Sequence, residues 1–295
     1  MFSVFLLSCH CARAAKKRMT LKNAMRSKTV SVQAVSTGGY CDKSLKLELK
    51  NNTCDDIALD IEPGLIFRPE DTSLQDLVVL GNESLALAPE KKGDIILQTF
   101  CGKSYAHSPF PGRPYHFLKQ ADSNLTRTLK YVKANNVEIY TAQAAVWFFT
   151  NGHSLSSVYS AMQPRESENM VKFIADMLHM KIPEYFINYK TASVAGRPVI
   201  DRAQIKLEAV MHWTPTDGYR NMHLVVFREN GTVYKTIEAD QVIDRYGYTV
   251  KVEFDPRRDQ AGKYLVKLFD DAGKVWGQKT VVIDPNEYQV PGRSD

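Results

Sequence analysis

Short segments in which apolar residues alternate with charged ones constrain the fold of this chain most. The clearest is SLKLELK at residues 44–50, where three leucines alternate with lysine and glutamate. Because successive side chains of a strand point to opposite faces, the pattern indicates a strand with one buried face. Similar segments follow up to residue 101, separated by turns such as Pro63-Gly64. Strands of this length and spacing predict a β-sandwich over residues 39–120.

The apolar spacing becomes helical after residue 120. Four segments between residues 121 and 190 carry apolar residues three or four positions apart, so we expect four helices that pack on the first sheet. The second helix should end at Gly152, since glycine readily adopts the left-handed conformation that terminates helices. The third should be capped by Ser154. The chain is therefore expected to be mainly β with a helical cluster, an α+β arrangement.

Strands return in the last third of the chain, and we interpret residues 200–285 as a second all-β domain with a tail at 286–295. Asn230-Gly231 predicts a hairpin turn with positive φ at both positions. The segment AGKYLVKLFDDAGKVWGQKTVVI, residues 261–283, resembles the last strands of bacterial immunoglobulin-like modules. That resemblance implies an immunoglobulin-like β-sandwich for this domain.

The chain begins with MFSVFLLSCHC, an apolar run well short of the roughly 20 residues that a membrane-spanning helix needs. Its LLSC at residues 6–9 resembles the lipobox of bacterial lipoproteins, which implies lipid attachment at Cys9. The polar, basic residues after it are interpreted as a tether, so residues 1–38 form a leader and tether. We therefore expect a secreted or cell-envelope protein that contacts the membrane only through a lipid anchor.

All five cysteines lie within the first 101 residues. Cys41 and Cys54 flank the strand at 44–50 and are candidates for a disulfide in an oxidising compartment. Pairing of Cys101 with either of them stays open. The Cys9-His10-Cys11 cluster belongs to a leader that is processed, so we expect no metal site there and no cofactor.

The charge distribution argues against nucleic-acid binding, and the lack of recognisable catalytic motifs argues against several classes of enzyme. The net charge of +5 is mild and its excess lies near the N-terminus, without a basic face interleaved with aromatics, so nucleic acid is not an expected partner. No nucleotide-binding loop, serine nucleophile elbow or zinc-protease helix occurs. A cysteine nucleophile at Cys101 with His107 as its base lacks an orienting third group. We expect a non-catalytic protein; an enzyme of unrecognised type is the third possibility.

One combination of residues suggests a second function. Cys101 ends a predicted strand, and Gln143 opens the helical segment QAAVW 42 positions later (143 − 101). The pair resembles bacterial thioester domains, which implies an internal thioester between Cys101 and Gln143 that captures nucleophiles on another surface. His107 or His153 could act as the base. The preferred interpretation is instead structural: Cys101 is a small buried apolar residue, and Gln143 forms hydrogen bonds with the backbone.

Several aromatic residues follow Cys101 in a stretch rich in turn residues. Tyr105, Phe110 and Tyr115 either cover the end of the sheet or form a ligand-binding loop. In the second case the expected partner is a surface protein or a glycan, because exposed aromatic side chains supply much of the binding energy at such sites.

Overall fold

The computed structural model describes residues 17–39, 41–160, 163–194, 197–213, 222–238 and 248–284. Strand residues make up 44% of the structure and helical residues 22%, so the predominantly β class is confirmed. The chain divides into two compact units. Unit 1 comprises residues 1–102 and 108–134, and unit 2 comprises residues 103–107 and 135–295. The lipidation candidate Cys9 and the neighbouring Cys11 lie outside the described residues.

Unit 1 contains nine strands and two helices within its described residues. In chain order they are β1 Lys17–Thr20, α1 Leu21–Arg26, β2 Val30–Ser36, β3 Asp42–Asn51, β4 Ile57–Ile61, β5 Leu65–Pro69, β6 Leu77–Val79, β7 Glu83–Leu87, β8 Lys92–Cys101, β9 Pro114–Gln120 and α2 Ser123–Asn135. Residues 17–36, which the sequence analysis assigned to a tether, thus form two strands and a helix. Asp122 caps α2, because its carboxylate accepts a hydrogen bond from the Leu125 N–H at 2.8 Å.

Six strands of unit 1 close into a barrel in the order β2-β3-β8-β6-β5-β9. The pairing of β2 with β9, in which Ala34 faces Tyr115, completes the ring. Strands β1, β4 and β7 form a separate three-stranded sheet. The barrel replaces the β-sandwich expected for residues 39–120. Alternating apolar residues bury one face of a sheet whether it packs on a second sheet or closes on itself, so the pattern does not distinguish the two.

The core of unit 1 confirms the predicted burial of β3. Its leucines, Leu45, Leu47 and Leu49, are at most 1% exposed. Burying a leucine side chain contributes about 1.5–3 kcal/mol, so these residues help to hold the barrel together. Val30 and Ala34 of β2 and Leu21 of α1 belong to the same core cluster. Residues 17–36 are therefore part of the packed unit.

Unit 2 contains two helices, a short 3₁₀ turn and seven strands within its described residues. In chain order they are α3 Ile139–Asn151, the 3₁₀ turn Leu155–Ser157, α4 Pro164–Leu178, β10 Phe186–Val194, β11 Arg197–Trp213, β12 His223–Arg228, β13 Val233–Glu238, β14 Tyr248–Phe254, β15 Gly262–Phe269 and β16 Val275–Ile283. The predicted helical segment 121–190 is thus divided between the units, with α2 in one and α3 and α4 in the other. The predicted third helix is only the 3₁₀ turn.

The strands of unit 2 form two antiparallel sheets, β10-β11-β14 and β13-β12-β15-β16. One hydrophobic core draws on both. Leu207 and Val252 come from the first sheet, and Leu224 and Val266 from the second. Strand β16 is an edge of the second sheet. No helix in the described ranges combines the length and the apolar composition needed to cross a bilayer.

Candidate functional site

The residues of the predicted thioester lie in different units. Cys101 is the last residue of β8 in unit 1 and is fully buried. Burial, with a smaller effect of Cys41, raises the pKa of the Cys101 thiol, so the reactive thiolate is disfavoured. Gln143 is buried on α3 in unit 2, where His107 is half-buried. The thioester stays a prediction.

The disulfide suggested for Cys41 and Cys54 does not form in the described chain. The ten residues of β3, Asp42–Asn51, separate the two cysteines. An extended strand rises about 3.3 Å per residue, which places the cysteines roughly 30 Å apart, whereas a disulfide requires Cα atoms within about 7 Å. The register instead sets Asp42 opposite Thr99, so Cys41 lies near the end of β8 that carries Cys101.

The three aromatic residues after Cys101 do not form one loop surface. Tyr115 is buried on β9, and its hydroxyl donates a hydrogen bond to the carbonyl oxygen of Gln75 at 2.9 Å. Tyr105 and Phe110 are exposed. They belong to units 2 and 1, respectively. Tyr115 therefore has a packing role, and only the other two keep the exposure that ligand binding requires.

Two adjoining cavities in unit 2 form a groove. Their volumes are about 330 and 360 Å³, and Ser156, Ile182 and Pro183 line both. Pockets that bind small ligands usually have volumes of about 300–1,000 Å³, so each cavity is large enough for part of a ligand. We call the cavity at the end of α3 the first cavity and the cavity beside α4 the second cavity.

The end of α3 shapes the first cavity. Gly152 caps the helix in the left-handed conformation, with φ of 61°, which confirms the predicted helix stop. The chain then turns His153 inward, where its Nε2 lies 2.8 Å from the hydroxyl oxygen of Ser104. The His153 ring also contacts the rings of Trp147 and Tyr189. These contacts hold His153 in place in the wall of the first cavity.

Ser104 and His153 could be taken for a nucleophile and its base, and the sequence analysis did not single out this pair. Both side chains are buried, with Ser104 only 1% exposed, and the Ser104 N–H also bonds the side-chain oxygen of Asn151. A hydroxyl sealed in this way cannot reach a substrate in the groove. We therefore assign the pair a structural role.

The second cavity combines aromatic rings with a lysine. Tyr159 stacks on Phe186 at the start of β10. Lys279 of β16 is half-buried, and its Nζ lies 5.7 Å from the centre of the Phe186 ring. Burial lowers the pKa of Lys279 despite the opposing effects of Glu168 and Glu184. The other polar residues of the lining are Ser156 and, on α4, Glu168, Asn169 and Lys172.

An aliphatic rim borders the first cavity. Met180, Ile182 and Val282 line it and are 44%, 46% and 40% exposed. Beside them, Glu184 accepts a hydrogen bond from the Thr280 N–H at 2.7 Å and pairs with Lys181 at 3.3 Å. Burial opposes ionisation of Glu184, but these bonds outweigh it and lower its pKa. The carboxylate thus covers one backbone donor on the free edge of β16.

The composition of the groove lining is suited to ligand binding. In the described part of the chain, no group of three or more histidine, cysteine, aspartate or glutamate side chains converges on a point where a metal ion could sit. The groove is instead lined by aliphatic and aromatic side chains with a few charged groups, the usual composition of a ligand pocket.

The sequence matches no protein-family model and no curated protein. Among solved structures, the β-glucosidase from Kluyveromyces marxianus in complex with glucose is 8% identical to this chain, with a TM-score of 0.19. That match covers 81% of this chain and 44% of the glucosidase, so the chain spans less than half the length of that enzyme. A likeness this weak carries no argument about fold or function.

Proposed function

We propose that this protein is a non-catalytic binding protein, secreted or attached to the bacterial cell envelope, which holds its ligand in the groove of unit 2. The groove is the observation that carries the proposal, because it joins two cavities of ligand size beneath an exposed aliphatic rim. The envelope location rests on the lipobox-like LLSC at residues 6–9 and on the kind of domain that follows.

We further propose that the strands of unit 2 form an immunoglobulin-like β-sandwich. Seven strands in two sheets around one core are typical of that architecture. The first, second and fifth strands share one sheet, and the third, sixth and seventh share the other, as in immunoglobulin domains. Here the fourth strand, β13, joins the second sheet.

A tyrosine at the corner between the fifth and sixth strands supports this architecture. Tyr264 lies near the start of β15, and its hydroxyl donates a hydrogen bond to the carbonyl oxygen of Gln260 at 2.7 Å. Immunoglobulin-like sandwiches place a tyrosine at this corner, with its hydroxyl bonded to the backbone a few residues upstream. The bond fixes the crossing from one sheet to the other.

Replacement of Tyr264 by phenylalanine should lower the free energy of unfolding of unit 2 by about 1 kcal/mol, because the hydrogen bond from its hydroxyl to the carbonyl oxygen of Gln260 is lost. Urea unfolding followed by circular dichroism measures the change. The matched control is Tyr105→Phe, since Tyr105 is exposed and the same substitution there should cost less than about 0.5 kcal/mol. Equal effects of the two substitutions would argue against a structural role for the corner.

Filling the groove tests the proposed function. The full chain is screened by isothermal calorimetry against a panel of short peptides and of neutral and acidic oligosaccharides. Ile182→Trp places a bulky side chain where the cavities adjoin, so we expect it to weaken the binding of any panel ligand by about tenfold or more. Val233→Trp is the matched control, because Val233 is an exposed β13 residue outside the groove lining. Failure of every panel member to bind, or equal binding by both variants, would contradict the proposal.

A further inference from the structure

We propose that the groove binds short peptides that present a carboxylate to Lys279 and an apolar side chain to the rim formed by Met180, Ile182 and Val282. This inference rests on the proposed function and adds the chemical class of the ligand. The carboxylate can be the C-terminus of the peptide or an acidic side chain within it. The chemistry at Lys279 is the same in both cases.

The position of Lys279 in its strand is the first argument. Val281 and Ile283 point into the core of unit 2, where they are at most 2% exposed. Because strand side chains alternate between faces, Lys279 lies on the same inward face. An apolar residue is the ordinary occupant of such a position. A charged residue there departs from the local pattern, and such departures concentrate at functional sites.

The surroundings of Lys279 compensate its charge only in part. Its ammonium is half-buried beside the Phe186 ring and forms no ion pair with any of the described residues. The partial burial lowers its pKa, and the carboxylates of Glu168 and Glu184 offset that effect only in part. The second cavity is lined by two lysines, Lys279 and Lys172, and by one carboxylate, Glu168, so a ligand carboxylate there would meet a net positive charge.

The rest of the lining favours a peptide over a sugar. Tyr159 and Phe186 stack on each other, so their facing surfaces are not available to a flat sugar ring. The exposed rim is aliphatic and suits a leucine-like side chain. An added β-strand is disfavoured as the occupant, because Glu184 already takes the Thr280 N–H on the edge of β16. Recognition therefore relies on side chains and on a carboxylate.

Fluorescence titration of the full chain tests the inference with three dansylated tetrapeptides. The first alternates alanine and leucine and has a free C-terminal carboxylate; the second is its C-terminal amide; the third is an amide with one alanine replaced by aspartate. We expect the first or the third to bind, and the second to bind at least about tenfold more weakly, since a hydrogen bond to a charged group contributes about 1.5–3 kcal/mol. Preference for the first identifies the C-terminus as the source of the carboxylate, and preference for the third identifies an acidic side chain.

Variants of Lys279 provide the decisive comparison. Lys279→Gln keeps the length of the side chain and should weaken the carboxylate peptide by about ten- to hundredfold, whereas Lys279→Arg should restore most of the affinity. Lys263→Gln removes an exposed lysine of the neighbouring strand β15 and should leave the affinity unchanged. Equal binding of all three peptides, or no loss with Lys279→Gln, would overturn the inference.

Two further outcomes separate this inference from the proposed function. A panel ligand that binds in a manner sensitive to Ile182→Trp but insensitive to Lys279→Gln would overturn the peptide-carboxylate inference and leave the groove as a binding site. The alternative role for Lys279 is to prevent association, because inward-pointing charges also protect sheet edges. Dimerisation of the Lys279→Gln variant in sedimentation velocity, with unchanged peptide affinity, would assign Lys279 that protective role and overturn the inference.

Discussion

Replacement of Gly81 by alanine is expected to destabilise unit 1 by about 3 kcal/mol or more, because two costs add. Gly81 has φ of 84°, in the left-handed region that costs a non-glycine residue roughly 1–3 kcal/mol. In addition, a Cβ atom at this position would lie 2.3 Å from the backbone nitrogen of Pro63 and 2.5 Å from its Cα. Overpacking against backbone costs about 1–3 kcal/mol more, since backbone atoms cannot move aside as a side chain can.

Gly81 lies where two turns of unit 1 approach each other. The Gly64 N–H donates to the carbonyl oxygen of Val79 at 2.8 Å, and the Asn82 N–H donates to that of Ile61 at 2.9 Å. The turn after β4 and the turn after β6 are thereby joined. Because β4 belongs to the three-stranded sheet and β6 to the barrel, this contact holds the two parts of unit 1 in place.

A second glycine of unit 1 supplies the control. Gly112 has φ of 75°, but a Cβ there would have no atom within 4 Å, so Gly112→Ala should show the conformational cost alone. Urea unfolding of both variants measures the difference. If Gly112→Ala destabilises the chain as much as Gly81→Ala, the approach of Pro63 is not the cause.

Cys101 should react with iodoacetamide in the native protein more slowly than Cys54 by a factor of about 10³ or more. Cys101 is fully buried, whereas Cys54 is exposed. Alkylation of a buried thiol requires opening of the fold, and opening a stable core costs about 5 kcal/mol or more. The experiment uses a chain with Cys9→Ser and Cys11→Ser and locates the label by peptide mass spectrometry, with unfolded protein as the reference.

The same samples test the thioester. A bond between Cys101 and Gln143 would lower the intact mass by that of one ammonia, methylamine would add its own mass, and Cys101→Ala would remove both effects. Full mass together with slow alkylation supports the packing role of Cys101. Rapid alkylation in the native state would contradict its burial.

The alternation of apolar and polar residues was enough to predict most strands, but it did not show that the first sheet closes into a barrel. The segments that became β3 to β8 and β11 to β16 carry clear period-two or apolar patterns. Four strands were missed: β1 and β2 lie within the basic stretch assigned to a tether, β9 begins with Pro114 after a run of turn residues, and β10 lies between the predicted helices and the predicted second domain. Strands β2 and β9 pair with each other to complete the barrel, so their omission made a sandwich the natural expectation.

Some helix caps and turns were predicted correctly and others were not. Gly152 ends α3 as expected, but Ser154 caps only a 3₁₀ turn. Pro164 explains part of this difference, because a proline restricts the residue before it and opens the next helix, α4. In the hairpin between β12 and β13, Gly231 has positive φ and Asn230 does not. The loop is therefore longer than the two-residue turn that the dipeptide suggested.

The groove could not be predicted from the sequence because its walls come from distant segments. Tyr159, Ile182 and Lys279 are brought together only by the folding of unit 2. One local signal was present, since Lys279 interrupts the inward face of β16 where an apolar residue would be expected. That departure from the pattern does not identify the residues that surround Lys279.

The hydrogen bond from the Thr280 N–H to the Glu184 carboxylate affects how the protein behaves at high concentration. Strand β16 ends its sheet, and an uncovered strand edge invites the edge of another molecule, the first step of fibril growth. Because the Thr280 N–H is already bonded, the regular row of free backbone groups that such strand pairing requires is interrupted. Many copies of the protein can then accumulate side by side without polymerising through β16.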